Sequence, residues 1–208
     1  DKGKLNMRMG INDFSANDFI SRMDENSLSK VFKIFGGERY SKKIAREIVK
    51  IRKSKTIKTE DLVQIIDSIK KYQKTKIHNS TKIFQALRIL VNREISELIN
   101  ALINSFHLIP IGGVIAVVTF HSIEDKIVKF FFKHYSEERN SSRYMPNEEV
   151  PEKCFKLINK KPILPSFKEV SQNPSSRSAK LRYAIKINQK CNFNDLREKF
   201  KYLTDVEE

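Results

Sequence analysis

Side chains able to do chemistry concentrate in two short stretches of this 208-residue chain. The first, His121-Ser122-Ile123-Glu124-Asp125, follows directly on the apolar run Val114–Phe120. An imidazole, a hydroxyl and two carboxylates this close together can serve as an acid–base set, orient a polar substrate or hold a metal. The second runs from Asn173 to Arg182. It sets the hydroxyls of Ser175, Ser176 and Ser178 among the cations Arg177, Lys180 and Arg182. Backbone amides, hydroxyls and cations in that mixture suit a phosphate. Each stretch also has a structural explanation. Ser122 and Asp125 fit a helix cap and a first-turn acid, and a serine-rich stretch is commonly an ordinary solvated loop. His121 is harder to account for by structure alone. No second His or Cys stands at ligand spacing, so no metal is expected.

These residues need elements to hold them. Val114–Phe120 is apolar and rich in β-branched residues, and Gly112-Gly113 opens it. It reads as a strand buried on both faces of an α/β sheet. Ligands of such sheets bind outside the carboxyl ends of the strands, which is where His121 and Ser122 sit. A helix capped by Ser122 should follow, burying Ile127, Val128, Phe131 and Phe132 and fraying near Tyr135. Ahead of the strand, Phe84, Leu87, Val91, Ile95, Leu98 and Leu102 predict one long helix from about Ser80 to His107, with Gln85, Arg88 and Asn92 on its surface.

Further upstream, Leu28, Val31, Phe32 and Phe35 form a helical stripe closed by Gly36-Gly37. Ile44, Ile48 and Ile51 form another, and Thr59 should cap a helix with Leu62, Ile65, Ile66 and Ile69 inside. Residues 13–77 thus read as a small all-helical unit. Downstream, 136–151 is polar and reads as a loop, 154–158 as a short strand, and 161–172 as too proline-broken for regular structure. Residues 181–187 alternate as a half-exposed strand, and the tail after Gln189 reads as a weak charged helix or a disordered end.

Charge narrows the function classes. Forty Lys+Arg against 25 Asp+Glu give a formal +15. From Arg39 to Lys58 nine cations face Glu47 alone, and from Lys156 to Lys190 nine face Glu169 alone. Two such zones suggest two contact surfaces on one polyanion, most simply a nucleic acid. Cys154 and Cys191 form no CxxC pair, which argues against a disulfide framework or a zinc module and suits a reducing compartment. No apolar run approaches transmembrane length, so a soluble cytoplasmic protein without a membrane partner is expected.

In their order along the chain these segments resemble the ribosomal RNA small subunit methyltransferase H family. The resemblance rests on Leu5-Asn6-Met7-Arg8-Met9, where the family usually has Asp in place of Asn6, and on Thr81–Asn92. It rests also on Gly112-Gly113 with Thr119–Lys129, and on Asn173–Arg182. The resemblance implies transfer of a methyl group from S-adenosyl-L-methionine to the exocyclic N4 of a cytosine in the decoding centre of 16S small-subunit rRNA. The substrate would be that rRNA or the 30S subunit.

The implied fold is α/β, the C-terminal part of a Rossmann-like methyltransferase sheet with an all-helical insertion. Residues 1–12 would end the first methyltransferase segment, 13–77 form the RNA-binding insertion, 78–190 the remaining methyltransferase domain and 191–208 a charged tail. His121, Ser122 and Asn173 would lie near the acceptor base. Arg8, Arg46, Lys50, Arg177, Ser178, Lys180 and Arg182 would hold RNA.

One departure stands out. The family's glycine-rich turn, ribose-binding acid and remaining cofactor residues fall ahead of the position matched by Asp1, and residues 1–208 contain no replacement. By the resemblance the chain looks like an N-terminally truncated form of such an enzyme, for which a companion segment could supply the N-terminal part of the sheet and the cofactor site. Two rivals follow from the residues: a non-catalytic RNA-binding module, from the charge, and a metal nuclease built on His121, Glu124 and Asp125.

Overall fold

The computed structural model describes residues 3, 5–10, 13–70, 78–137 and 153–208. The helical stripes form α1 (Ala16–Arg22), α2 (Glu25–Ile34), α3 (Ser41–Ile51) and α4 (Thr59–Ile69), followed by α5 (Thr81–Asn92) and α6 (Glu94–Leu108). Then come β1 (Val114–Thr119), α7 (Ser122–His134), β2 (Phe155–Leu157), α8 (Phe167–Gln172), β3 (Lys180–Lys186) and α9 (Asn194–Glu207). A 3-10 turn, Pro174–Ser178, leads into β3. The mixture of helix and a small sheet is an α/β fold. No helix among the described residues is long and apolar enough to cross a membrane. The chain packs as two units: Asp1–Ser96 with Tyr202–Glu208, and Glu97–Lys201.

The first unit is helical. Leu28, Val31 and Phe32 of α2, Ile44 and Ile48 of α3, Leu62 and Ile66 of α4, and Ile83, Leu87 and Leu90 of α5 are buried, as their 3.6-residue spacing demands. Gly36 is required where it stands, because a β-carbon there would lie 2.5 Å from the Lys82 carbonyl oxygen and 2.8 Å from that of Phe32. Gly37 takes φ +58°, the left-handed conformation that closes the turn. Arg52 donates to the carbonyls of Ile20 and Met23, closing the end of α1.

The expected helix from Ser80 to His107 is instead two helices. Arg93 adopts φ +48°, ψ +40°, and its amide reaches back to the carbonyls of Ile89 and Leu90. No glycine or proline announces the break. It is held by the Arg88 guanidinium, which grips Glu94 with two bonds of 2.7 and 3.0 Å. Glu207 also holds it, accepting from the amides of Ile95 (2.8 Å) and Ser96 (2.9 Å) at the start of α6. Burial pushes the Glu207 carboxyl above the ordinary range, against the opposing pull of its bonds from Ser96 and Ile95.

In the second unit the sheet order is β1-β3-β2, with β3 antiparallel to both neighbours. The α7 helix packs on one face through Ile127, Val128, Phe131 and Phe132. Phe131 and Phe132 meet Phe155 with ring centroids 5.0 and 5.5 Å apart, and Phe106 and Phe193 join that cluster at 5.5 and 5.1 Å. The other face of β1 is bare. Val114 and Val118 are 55% and 52% exposed, so the strand is not buried on both sides as its composition suggested. Its apolar phase simply lacks a covering layer among the described residues.

Other expectations shift locally. Ala184 and Lys186 are the deeply buried residues of β3, not the aliphatic phase Leu181, Tyr183, Ile185. Lys186 is enclosed because its ammonium donates to the carbonyls of Phe106 (2.7 Å) and Ile109 (2.8 Å) at the end of α6, over the Phe106 ring. Residues 161–172 include α8, capped by Ser166 just after Pro165, where proline precedes a helix without interrupting it. Thr59 is the first residue of α4 and donates to the Gly3 carbonyl; the preceding Lys58 amide is satisfied by Asp61. The tail is a well-packed helix, with Leu196 and Phe200 buried in the second unit. Cys154 and Cys191 are joined in a disulfide, contrary to the reducing pair expected; β2 and the approach to α9 bring them together. The loop expected at 136–151 lies mostly outside the described residues, as does 71–77 of the helical unit.

Candidate functional site

The register of the sheet assembles the candidate site. Thr119 at the carboxyl end of β1 pairs with Lys180 at the start of β3. His121, which follows β1, and the Asn173–Ser178 turn, which precedes β3, therefore adjoin the same end of the sheet. Backbone pairing thus brings to one sheet end two stretches separated by some fifty residues of sequence.

At this end α7 is capped by His121, not by Ser122 as the sequence suggested. The His121 ring accepts from the Glu124 amide through Nδ1 at 3.4 Å. The Glu124 carboxylate accepts in return from the amides of Phe120 (2.8 Å) and His121 (3.1 Å), and its other oxygen lies 3.2 Å from His121 Nε2. The cap is thus one residue earlier than predicted, because an imidazole fills the role usually taken by a hydroxyl. Burial pushes Glu124 up, but the bond from His121 and those from the Phe120 and His121 amides outweigh it and leave the carboxyl below the ordinary range. Ser122 opens the first turn and is exposed.

That one-residue shift gives Asp125 different work. Its two oxygens accept from Arg182 Nε (2.8 Å) and Lys180 Nζ (2.9 Å), joining α7 to β3. Burial pushes the Asp125 carboxyl up, but Arg182 and then Lys180 outweigh that effect and hold it low. The site is therefore a cation pair locked by one carboxylate, beside a capping imidazole. Such a site can orient a polar base edge and receive a phosphate. With both its oxygens turned to cations, Asp125 is poorly placed to serve as one of the three ligands of the nuclease metal considered from the sequence.

The remaining candidates occupy local networks. Asn173 Oδ1 accepts from the Ser175 amide at 3.2 Å, Ser176 donates to the Asn173 carbonyl at 2.8 Å, and Arg177 donates to the Pro174 carbonyl at 3.1 Å. Arg177 and Ser178 are exposed and Ser176 is buried. In the first unit, Arg46 and Lys50 stand on the exposed face of α3 with 3.4 Å contacts to Glu25 and Glu47. Arg8 Nε donates to Asn6 Oδ1 at 2.7 Å.

The residue sequence reasoning missed is Asn92. It donates to the Met7 carbonyl (2.9 Å) and accepts from the Met9 amide (2.6 Å), clamping a segment in which Met7 is held at φ +59°. Such strain at a non-glycine residue persists only where surroundings impose it. An asparagine following the apolar run Ile89-Leu90-Val91 at the end of the helix was the available signal, since Asn is a poor helix former.

Fold and site together define an α/β domain that gathers an imidazole and an anchored cation pair at one end of its sheet. The chain belongs to the MraW methylase family, which it matches over residues 1–187. It is 43% identical over 187 residues to a protein of Xanthobacter autotrophicus named ribosomal RNA small subunit methyltransferase H, covering 89% of this chain and 54% of the relative. Proteins of the same name from Rickettsia bellii (42% over 189 residues; 89% and 62%) and Bartonella henselae (40% over 197 residues; 94% and 57%) are similar to it as well. The chain spans little more than half the length of these relatives.

Proposed function

We propose that this chain is the substrate-binding part of an S-adenosyl-L-methionine-dependent rRNA methyltransferase that modifies the exocyclic N4 of a cytosine in the small-subunit decoding centre. The observation that supports it best is the meeting of His121–Glu124 with Lys180–Asp125–Arg182 at one sheet end, in a member of the MraW methylase family. Residues 13–77 are read as an RNA-binding insertion, 78–190 as the remainder of a Rossmann-like domain, and 1–12 and 191–208 as its flanks. The cationic face of α3, with Arg46 and Lys50, suits the phosphate backbone.

Cytosine N4 is a weak nucleophile because its lone pair is delocalised into the ring, so rate depends on holding it in line with the methyl donor. His121, Ser122 and Asn173 are the groups proposed to orient the base edge. Arg177, Ser178, Lys180 and Arg182 are those proposed to hold phosphates at this site, and Arg8 is proposed as an RNA contact of the first unit. The base must leave its stack to enter such a site.

The described residues do not fit the methyl donor itself. Its sulfonium is disfavoured beside Lys180 and Arg182, and Asp125, a candidate acid for the ribose, is already bonded to both. Gly112-Gly113 precedes β1 rather than following a strand, and Gly36-Gly37 closes α2. A companion segment is proposed to hold the donor. Among the described residues β1 has an open edge and a bare face, with Val114, Val118 and Phe120 each more than half exposed, and these would receive it.

The second reading, a non-catalytic RNA-binding module, is favoured by that same lack of fit. Calorimetric titration with S-adenosyl-L-methionine separates the two. Binding by this chain with its companion segment supports the methyltransferase, whereas salt-sensitive rRNA binding with no cofactor binding by the pair supports the module.

A further inference from the structure

A groove of about 870 Å³ lies in the second unit, between the carboxyl half of α7 and the β2–β3 edge of the sheet. Its volume falls within the roughly 300–1,000 Å³ typical of ligand sites. The apolar walls come from Phe132, Leu157, Tyr183 and Ile187, and Asn159 reaches the Tyr183 hydroxyl at 3.4 Å. Around them stand Lys129 and Lys133 from α7, Lys153 and Lys156 at β2, Lys160 beyond it, and Arg182. Glu137 is the one acid among the described lining residues, and it already faces Lys133 at 3.4 Å. On α7, Lys126, Lys129 and Lys133 follow the i, i+3, i+7 spacing of one helix face. Lys129 and Lys133 also line a shallower hollow on the other side, where Lys199 covers the Phe130 ring at 5.3 Å. Arg182 connects the groove to the candidate site, since the same side chain lines it and bonds Asp125.

An apolar floor with an aromatic ring, rimmed by cations on opposing walls, suits a nucleotide: base and ribose on the floor, phosphates at the rim. We infer that this groove binds single-stranded RNA flanking the target base and leads it towards the Asp125–Arg182 end of the sheet. The assignment rests on the proposed rRNA methyltransferase reading and adds a contact surface separate from the acceptor residues. Charge decides between occupants, because a groove with several lysines and one paired acid repels a basic peptide and attracts a phosphate chain.

The test is fluorescence anisotropy of a labelled single-stranded oligonucleotide copied from the small-subunit rRNA target region, titrated with the 208-residue chain over a salt series. Lys156→Glu/Lys160→Glu alters one wall, and Lys129→Glu/Lys133→Glu the other. Arg197→Glu/Lys201→Glu makes the same charge change at exposed positions outside the groove and outside the two basic zones. Circular dichroism checks each fold, and the two wall variants serve independently should one fail to fold. Each wall variant should weaken binding at least about tenfold relative to the control and reduce the salt slope by about one to two. Wall variants matching the control, while the unaltered chain binds RNA, would overturn the groove assignment and leave the methyltransferase reading intact. No RNA binding by the unaltered chain would overturn both. Competition by free cytidine monophosphate at the affinity of the oligonucleotide would overturn RNA as the occupant in favour of a mononucleotide.

Discussion

Replacing Asp125 with alanine isolates the interaction that ties α7 to β3. Asp125 and Arg182 are only 14% and 11% exposed at their side chains, whereas Lys180 is 38% exposed. An exposed ion pair contributes about 0–1 kcal/mol. Removing one partner of a buried pair costs about 3–5 kcal/mol, because the other charge is left without compensation. This pair lies between the two cases and nearer the buried one, so D125A should destabilise the second unit by about 2–3 kcal/mol. Adding Arg182→Met removes the stranded guanidinium, and the double variant should recover at least about 1 kcal/mol relative to additivity. Urea titration followed by far-ultraviolet circular dichroism gives the free energies, and hydrogen exchange of β3 amides locates the change. The pH dependence has a fixed sign. Asp125 is held below its unfolded value, so its contribution is complete above the ordinary aspartate range and disappears as pH falls through the lowered folded value. A loss in D125A under about 0.5 kcal/mol, or strict additivity with R182M, would show that this ion pair does not hold α7 to β3.

Glu207 should behave oppositely. Its folded carboxyl is raised, so the advantage of the native chain over Glu207→Gln should be greatest below the ordinary glutamate range and shrink as pH rises through the raised value, as read by urea midpoints across pH. Lys186→Met should lower stability by about 2–4 kcal/mol in the same titration, because it leaves two carbonyls at the end of α6 without their donor. Gly36→Ala should lower the melting temperature of the first unit far more than Gly3→Ala, whose added carbon meets nothing within 4 Å; equal shifts would remove the case for close approach at Gly36.

Much of this fold was legible because burial follows periodicity. The stripes of α2, α3 and α4 and the apolar face of α7 follow from the spacing of Leu, Ile, Val and Phe. What escaped the sequence depends on single polar contacts made over long range. The break at Arg93 is enforced by Glu207, more than a hundred positions away. Lys186 is buried against its alternation pattern because the end of α6 needs a donor. The apolar run of β1 was read as two-sided burial, yet composition cannot say whether both layers lie within the same stretch of chain. At the candidate site, His121 and the Asn173–Arg182 segment stood out by type, and the sheet register adds that they share one end. Asn92 stayed hidden, since its role depends on Met7 and Met9, more than eighty residues earlier.

The most direct measurement is the modification state of small-subunit rRNA in cells that carry or lack the gene for this chain, determined by nuclease digestion and mass spectrometry of the target region. Under the proposed function, loss of the gene removes a methyl group from the N4 of one decoding-centre cytosine, and the intact gene restores it. An unchanged level of N4-methylated cytidine in cells lacking the gene would contradict the proposed function.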